Sequence, residues 1–305
     1  MNAAKIQKVL QGLPSDLYVI KQDVSFAALT SFRTGGDAAF CLAPTTNEAF
    51  ACAVKLLREN EIPYLLLGHG TNVLAPDEGY RDGVVLLTSE LKNMETRDNV
   101  LALGAGVLMN SAAVCALNAS LSGLEFAYGI PGSVGGALAM NAGAYEHEIA
   151  ELPLKIVACD ENGNLITLDG TDCEFGYRAS VFQSKNLIAL SCEITLQKDK
   201  HAEIKARMDD YLARRKKSQP LEYPSAGSFF RRPLGHFAGK LIQDANLKGV
   251  RVGGAQVSER HAGFIINYEN ATSDDVKKLG ELVQMRVEEL YGVRLEREVK
   301  YLCDD

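Results

Sequence analysis

Residues Phe126–Tyr145 read FAYGIPGSVGGALAMNAGAY, with glycines at 129, 132, 135, 136 and 143 and small residues filling most of the gaps. Glycine-rich backbone is entropically costly to order, so a purely structural loop is seldom so dense in it. Close approach of backbone to a flat ring and a diphosphate explains the composition; a tightly packed crossover is the competing explanation. A second glycine segment lies upstream, in YLLLGHGTNVL at Tyr64–Leu74. There a short apolar run after Pro63 predicts a buried strand that empties into Gly68-His69-Gly70-Thr71-Asn72. Such glycines let several N–H groups converge on one phosphate oxygen, and Thr71 and Asn72 add side-chain donors. The spacing is not a dinucleotide-binding GxGxxG, and the lysine of a P-loop is missing. Alone, a GxG after a strand is as readily a plain tight turn.

Working outward, Ile6, Val9 and Leu10 fit a short opening helix ending near Gly12. Thr46 caps a helix through Asn60 whose apolar face is Phe50, Ala53, Val54 and Leu57. Strands are predicted at Val84–Thr88 and Val100–Leu103, the latter entering Gly104-Ala105-Gly106, and a helix at Asn110–Asn118. Lys155–Cys159, Leu165–Leu168 and Leu187–Leu196 read as strands, the first two joined by a hairpin turn at Glu161-Asn162-Gly163-Asn164. Ala202–Lys217 predicts a charged helix with Ile204, Met208 and Leu212 inward. A domain boundary is expected near the start of the proline-bearing region 219–233. Ser273 is expected to cap a helix stopped by Gly292, and Arg294–Leu302 to close the chain as a strand. The pattern is α+β with mixed sheets, lacking the βαβ rhythm of a doubly wound fold.

The 305 residues suggest two or three domains. A net charge of −7 argues against sequence-independent nucleic-acid binding, which needs a basic surface. The seven cysteines (Cys41, Cys52, Cys115, Cys159, Cys173, Cys192, Cys303) are odd in number and form no CxxC, which fits buried thiols in a reducing compartment. No signal peptide is evident, and no apolar run approaches the roughly 20 residues of a membrane span. The histidines lack metal-ligand spacing, so no catalytic metal is expected. A soluble cytoplasmic chain, taken as a monomer, is the expectation.

The two glycine segments, LGHGTNVL and GIPGSVGGALAMNAGAY, together resemble those of the UDP-N-acetylenolpyruvoylglucosamine reductase family, FAD enzymes of peptidoglycan precursor synthesis. The resemblance continues through SFRTGG at Ser31–Gly36, GYRASVF at Gly176–Phe182, QPLEYPSAGSFFRRP at Gln219–Pro233 and LEREVK at Leu295–Lys300. The run Gly235–Asn267 is similar to the shorter, type II branch. It implies a two-subdomain FAD-binding fold of the vanillyl-alcohol-oxidase/PCMH type plus a smaller α+β substrate domain. The corresponding division is 1–88 and 89–208 (with 296–305) for the two FAD subdomains and 209–295 for the substrate domain. The implied reaction is NADPH-dependent reduction of UDP-GlcNAc-enolpyruvate to UDP-N-acetylmuramate, which serves cell-wall biogenesis and hence cell shape and division.

Site residues follow from the same resemblance. FAD contacts are expected from Arg33, Gly68, His69, Gly70, Thr71, Asn72, Val73 and Leu74; from Gly104, Ala105 and Gly106; and from Ile130, Pro131, Gly132, Ser133, Gly135, Gly136, Asn141, Gly143 and Ala144. Arg214 is a further candidate for a phosphate, although a basic helix end equally suits a solvated face. The catalytic residues implied are Arg178, Ser228 and Glu298. Arg178 suits a cation that grips the substrate carboxylate through paired hydrogen bonds. Ser228 matches the proton donor, with Phe229-Phe230 placed to shield its hydroxyl from water. Glu298 matches a carboxyl that orients the enol, on a strand that turns it away from Val299 and Tyr301. Tyr177, Lys240, Gln243 and Gln256 are candidate substrate contacts. Arg232 stands where one branch carries Asn, so any contact of that Asn does not transfer. The longer branch's tyrosine-bearing covering loop has no counterpart, which implies a more open UDP site. Two other readings compete: an FAD oxidase of the same fold, which would need a base near the flavin, and a catalytically dead flavin-binding module.

Overall fold

A computed structural model describes residues 3–303, and the chain divides into two compact units. Unit one takes Met1–Gln22, Phe40–His69 and Asp82–Arg215; unit two takes Asp23–Ala39, Gly70–Arg81 and Lys216–Asp305. This differs from the three-part division expected from the sequence. The stretches expected to form two flavin subdomains group together, while 23–39 and 70–81 join the C-terminal part. So does the chain end, because Lys300 and Tyr301 pair in parallel with Val73 and Leu74. No described helix is long and apolar enough to cross a membrane.

Unit one is built on two sheets. In the first, Val84–Leu87 lies between Asp37–Pro44 and Tyr64–Leu67, pairing Val85 with Cys41 and Leu65, and Leu86 with Leu42 and Leu66, all in parallel. Val84–Leu87 is wholly buried, as a continuous apolar run in a parallel sheet should be. Tyr64–Leu67, expected to be buried, is instead the edge strand, and Leu66 is exposed. The helix Asn47–Glu59 joins the two strands that flank Val84–Leu87, capped as expected by Thr46, whose hydroxyl accepts from Ala49 N at 3.1 Å. The second sheet is antiparallel and ordered Leu165–Asp169, Leu154–Cys159, Ile188–Thr195, Val100–Gly104, Met94–Arg97. Its outer hairpin turns where the sequence puts the Asn-Gly signal: Asp160 Oδ1 accepts from the N–H groups of Asn162 and Asn164, both at 2.8 Å. Leu101, Leu103, Ile156, Ile194, Ile204 and Met208 belong to the core on this side.

Unit two packs the three-stranded antiparallel sheet Arg251–Val252, Ala255–Val257, Ile265–Asn267 against the helix Ser273–Tyr291. Phe229, Phe230, Leu279, Val283 and Val287 fill its core. The helix cap is Thr272, not Ser273: Thr272 and Asp275 form a reciprocal capping box. Ser273 sits one residue inside and donates its hydroxyl to Thr34. Asp77 adds a second cap, accepting from Ser273 N at 2.8 Å and Asp274 N at 2.9 Å. Gly292 ends the helix in the left-handed conformation, as the sequence indicates.

Candidate functional site

In unit one the two glycine segments meet. A Cβ added to Gly68 would come within 3.1 Å of Ser133 Oγ and 3.7 Å of Thr88 Oγ1. The loop after Val100–Gly104 completes the cradle: Val134 N donates to Val107 O at 2.8 Å and Gly135 N to Ala105 O at 2.9 Å. Ser133 then caps the helix Val134–Met140, accepting from Gly136 N. These contacts sort the glycines. At Gly135 a Cβ would lie 2.8 Å from that of Ala105, and at Gly104 and Gly106 it would run into the carbonyls of Leu91 and Thr88, so packing requires all three. Gly136 is exposed and a Cβ there would meet nothing nearer than Ser133 Oγ at 3.7 Å, so packing does not explain it.

Two buried polar atoms beside this cradle, His69 Nδ1 and Thr88 Oγ1, have no hydrogen-bond partner among the described residues. Such atoms are rare and cost about 1–3 kcal/mol each. They fit a bound group that carries its own hydrogen-bonding atoms, as FAD does. Burial lowers the pKa of His69, with Lys92 adding to the effect, which favours the neutral ring.

Arg178 occupies a four-residue turn, Gly176–Ala179, closed by Ala179 N donating to Gly176 O at 3.2 Å. Its φ is +55°, a left-handed position that a glycine would fill more easily. A side chain there costs on the order of 1–3 kcal/mol, and such strain collects at functional sites. The guanidinium donates to the carbonyls of Asn141 (3.2 Å) and Gly143 (3.1 Å), and Gln183 Nε2 donates to the Arg178 carbonyl. Asn141, expected to touch the cofactor, is fully buried: its amide donates to Gly176 O and its Oδ1 accepts from Ala150 N. It ties the glycine segment to the Arg178 turn. Tyr177 projects outward, with the Arg178 guanidinium 5.3 Å from its ring centre.

In unit two, Ser228 is exposed while Phe229 and Phe230 turn into the core. The expected shielding of its hydroxyl by those rings is therefore not seen; apolar burial draws them inward instead. Glu298 is half-buried and its neighbour Val299 is buried, the alternation expected, although only Lys300–Tyr301 of the anticipated strand is regular. Its N–H donates to Phe229 O at 2.9 Å, so the Ser228 and Glu298 segments run side by side. The Asn72 amide donates to Glu298 O at 3.1 Å. Val73 and Leu74 pair with the same closing strand, and Gly70 O accepts from Ser31 N at 3.0 Å. Thr71, beside Gly70, is half-buried, and Arg33 is exposed with a φ of +56°.

Among the candidate substrate residues, Lys240 and Gln243 are exposed on the helix Ala238–Asp244, and Lys240 is paired with Asp244. Gln256 departs from expectation: it is buried in the middle strand and donates to Gly249 O. Arg214 is exposed and bridges to Asp210, whereas Arg215, one residue on, is drawn inward beside Gly129 and Tyr145. Burial lowers its pKa, with Tyr145 opposing. The periodicity that selects Ile204, Met208 and Leu212 also selects position 215 rather than 214, so the inward arginine was readable from the sequence. Thr88 had only a weak signal, a polar residue ending an apolar strand. Among the described residues no group of three or more His, Cys, Asp or Glu could hold a metal ion.

Comparisons with known proteins identify the family. A family model described as "FAD binding domain" matches residues 38–169, and one described as "UDP-N-acetylenolpyruvoylglucosamine reductase, C-terminal domain" matches 219–302. The flavin-binding α+β class expected from the sequence is thereby shown. A UDP-N-acetylenolpyruvoylglucosamine reductase of Staphylococcus aureus (strain COL) is 44% identical over 296 residues, 97% of this chain and 95% of the relative. One from Staphylococcus epidermidis is 44% identical over 305 residues, 100% of this chain and 99% of its own. The crystal structure of the Thermus caldophilus reductase superposes with a TM-score of 0.79 at 33% identity, covering 93% of this chain and 99% of that one. With identity sustained from end to end across both units, the chain belongs to the UDP-N-acetylenolpyruvoylglucosamine reductase family.

Proposed function

We propose that this chain reduces UDP-GlcNAc-enolpyruvate to UDP-N-acetylmuramate in peptidoglycan precursor synthesis, with FAD as cofactor and NADPH as electron donor. The observation that carries the reading is Arg178, a side chain held in a strained turn with its guanidinium fixed by two carbonyls. Gly68, His69, Thr88, Ser133 and Gly136 are the residues we assign to hold FAD, with Arg215 as a cation for its phosphates. When bound, FAD supplies two-electron redox chemistry between the nicotinamide and the enolpyruvyl alkene.

The chain's own residues do the rest. Arg178 grips the substrate carboxylate, where negative charge builds as the alkene is reduced, and stabilises that charge as it develops. Ser228 Oγ gives its proton to the carbon next to the carboxylate. Glu298 orients the enol, in a protonated or tightly hydrogen-bonded form, since a bare carboxylate would repel it. Tyr177, Lys240 and Gln243 are assigned to the nucleotide sugar. The same reading places the enzyme in the cytoplasm as a monomer.

Purified protein should be yellow. Anaerobic NADPH should bleach it faster than NADH does, and UDP-GlcNAc-enolpyruvate should restore the colour. Absence of flavin from folded protein sinks the reading, and reoxidation by oxygen alone points to an oxidase.

A further inference from the structure

The hairpin that follows the long glycine segment is built against local preference. Gly143–Ala144 pairs antiparallel with His147–Glu148, Ala144 opposite His147 and Gly143 opposite Glu148, leaving a two-residue turn. Its central residues, Tyr145 and Glu146, have φ of +56° and +68°. Two-residue turns with both central residues left-handed favour Asn-Gly or Gly-Gly; a tyrosine followed by a glutamate is a poor choice on local grounds. The hairpin is too small and too exposed to be held by burial alone.

Beyond the bonds at its base, from Ile149 N to Ala142 O and Ala150 N to Asn141 Oδ1, one side chain at its turn anchors it to a neighbouring helix. The Tyr145 ring stacks on Tyr211 with centroids 4.4 Å apart and planes 5° from parallel, and its hydroxyl donates to the Tyr211 carbonyl at 2.8 Å. Tyr211 lies on the helix His201–Ser218, which is seated by buried Ile204 and Met208 and tied by Arg207 to Glu125. The hairpin in turn presents the Gly143 carbonyl that accepts from Arg178 Nη2. A strained turn carrying Arg178 is thus fixed by a strained hairpin, and that hairpin by a stacked ring on a rigid helix.

We propose that Tyr145 and Tyr211 are positioning residues for the reduction of the enolpyruvyl group, clasping the hairpin so that Gly143 holds the Arg178 guanidinium in place. This rests on the assignment of Arg178 to the substrate carboxylate. Neither tyrosine touches the reacting atoms; both act through Arg178.

The test uses the FAD-loaded enzyme and separates the two half-reactions by stopped flow. Tyr211→Leu should lower kcat/KM for reoxidation by the enolpyruvyl substrate by about tenfold or more, the scale on which small misplacements of catalytic groups act. Bleaching by NADPH and the melting temperature should stay near wild type. Tyr211→Phe, which keeps ring and carbonyl, should behave as wild type, and Tyr145→Phe, which loses only the hydroxyl, should show a smaller loss. In an Arg178→Ala background Tyr211→Leu should add nothing further, because residues acting as one unit are not additive. A normal reoxidation rate in Tyr211→Leu, or losses that add in the double variant, overturns the inference while leaving Arg178 in its role. Near-normal reoxidation in Arg178→Ala overturns that role itself and the inference with it. If Tyr211→Leu does not fold, Tyr145→Phe decides: reoxidation at the wild-type rate overturns the inference, and a selective loss in reoxidation supports it.

Discussion

The side-chain amide of Asn72 donates to the main-chain carbonyl of Glu298 at 3.1 Å, and the Asn72 carbonyl accepts from Lys300 N at 3.1 Å. A residue picked out as a phosphate donor therefore also frames the candidate catalytic carboxyl, with Glu298 held between bonds from Asn72 and to Phe229. Asn72→Ala removes one hydrogen bond of about 1 kcal/mol, so reoxidation by substrate should slow by about fivefold. Stopped-flow flavin absorbance measures this; an unchanged rate would detach Asn72 from the catalytic frame.

Ser228→Ala should bleach normally with NADPH yet lose turnover by about 10²–10⁴-fold, the usual contribution of a general acid. Because Ser228 is exposed while its aromatic neighbours form the core, the variant should melt at the wild-type temperature. Near-normal turnover would remove Ser228 from the role of acid.

Gly135 and Gly136 should part company when each is changed to alanine. Gly135→Ala forces a Cβ against Ala105 and should cost about 1–3 kcal/mol of stability. Gly136→Ala meets only ordinary contact and gains about 0.5–1 kcal/mol of helix preference, so flavin-free protein should be as stable or more so. If Gly136 is a cofactor glycine, that same variant retains FAD less well on dialysis. Full retention would reassign it to helix geometry alone.

Glu125 is buried and receives hydrogen bonds from Arg207, Gly123 N and Ser122. Burial works to raise its pKa, but these bonds outweigh burial and hold it below the usual carboxylate value. A depressed carboxyl pKa stabilises the fold above the unfolded value near 4.3 and loses that contribution as pH falls through the folded value. Arg207→Leu removes the cation and its hydrogen bonds while Gly123 N and Ser122 remain, so the Glu125 pKa moves up from its depressed value. The variant should be destabilised by about 2 kcal/mol at neutral pH, and by less near pH 5 as Glu125 takes up a proton. Melting curves at the two pH values check this; a gap that does not narrow would refute it.

Much of unit one was legible because its signals are local. Thr46, the Asn162-Gly163 turn and the long glycine segment each declare themselves within a few residues. What escaped was set by distant partners. Asp37–Pro44 belongs to a sheet only because Val84–Leu87 lies beside it, and the closing strand joins unit two only because Val73 and Leu74 meet it there. Gln256 looks like a ligand contact in the sequence, yet its amide is taken by Gly249. The Arg178 turn was located through its motif, but its strain was invisible, because nothing in Gly-Tyr-Arg-Ala announces a left-handed arginine. Helical phase separates exposed Arg214 from inward Arg215, a distinction legible in the sequence.

The three-part make-up of unit two sets an order on its synthesis. A nascent chain has both 23–39 and 70–81 long before it has 216–305, yet Ser31 bonds to Ser225, Phe32 O to Asn267, and Asp77 to the helix beginning at Ser273. These early segments bond to each other, as Ser31 does to Gly70, but their contacts with the C-terminal part must wait for residues 216 onward. Long-range closure of this kind is slow and leaves apolar residues such as Phe32 and Leu74 open to chaperones in the interval. Arrival of residues 216–305, rather than collapse of the first half, is then the event that completes unit two.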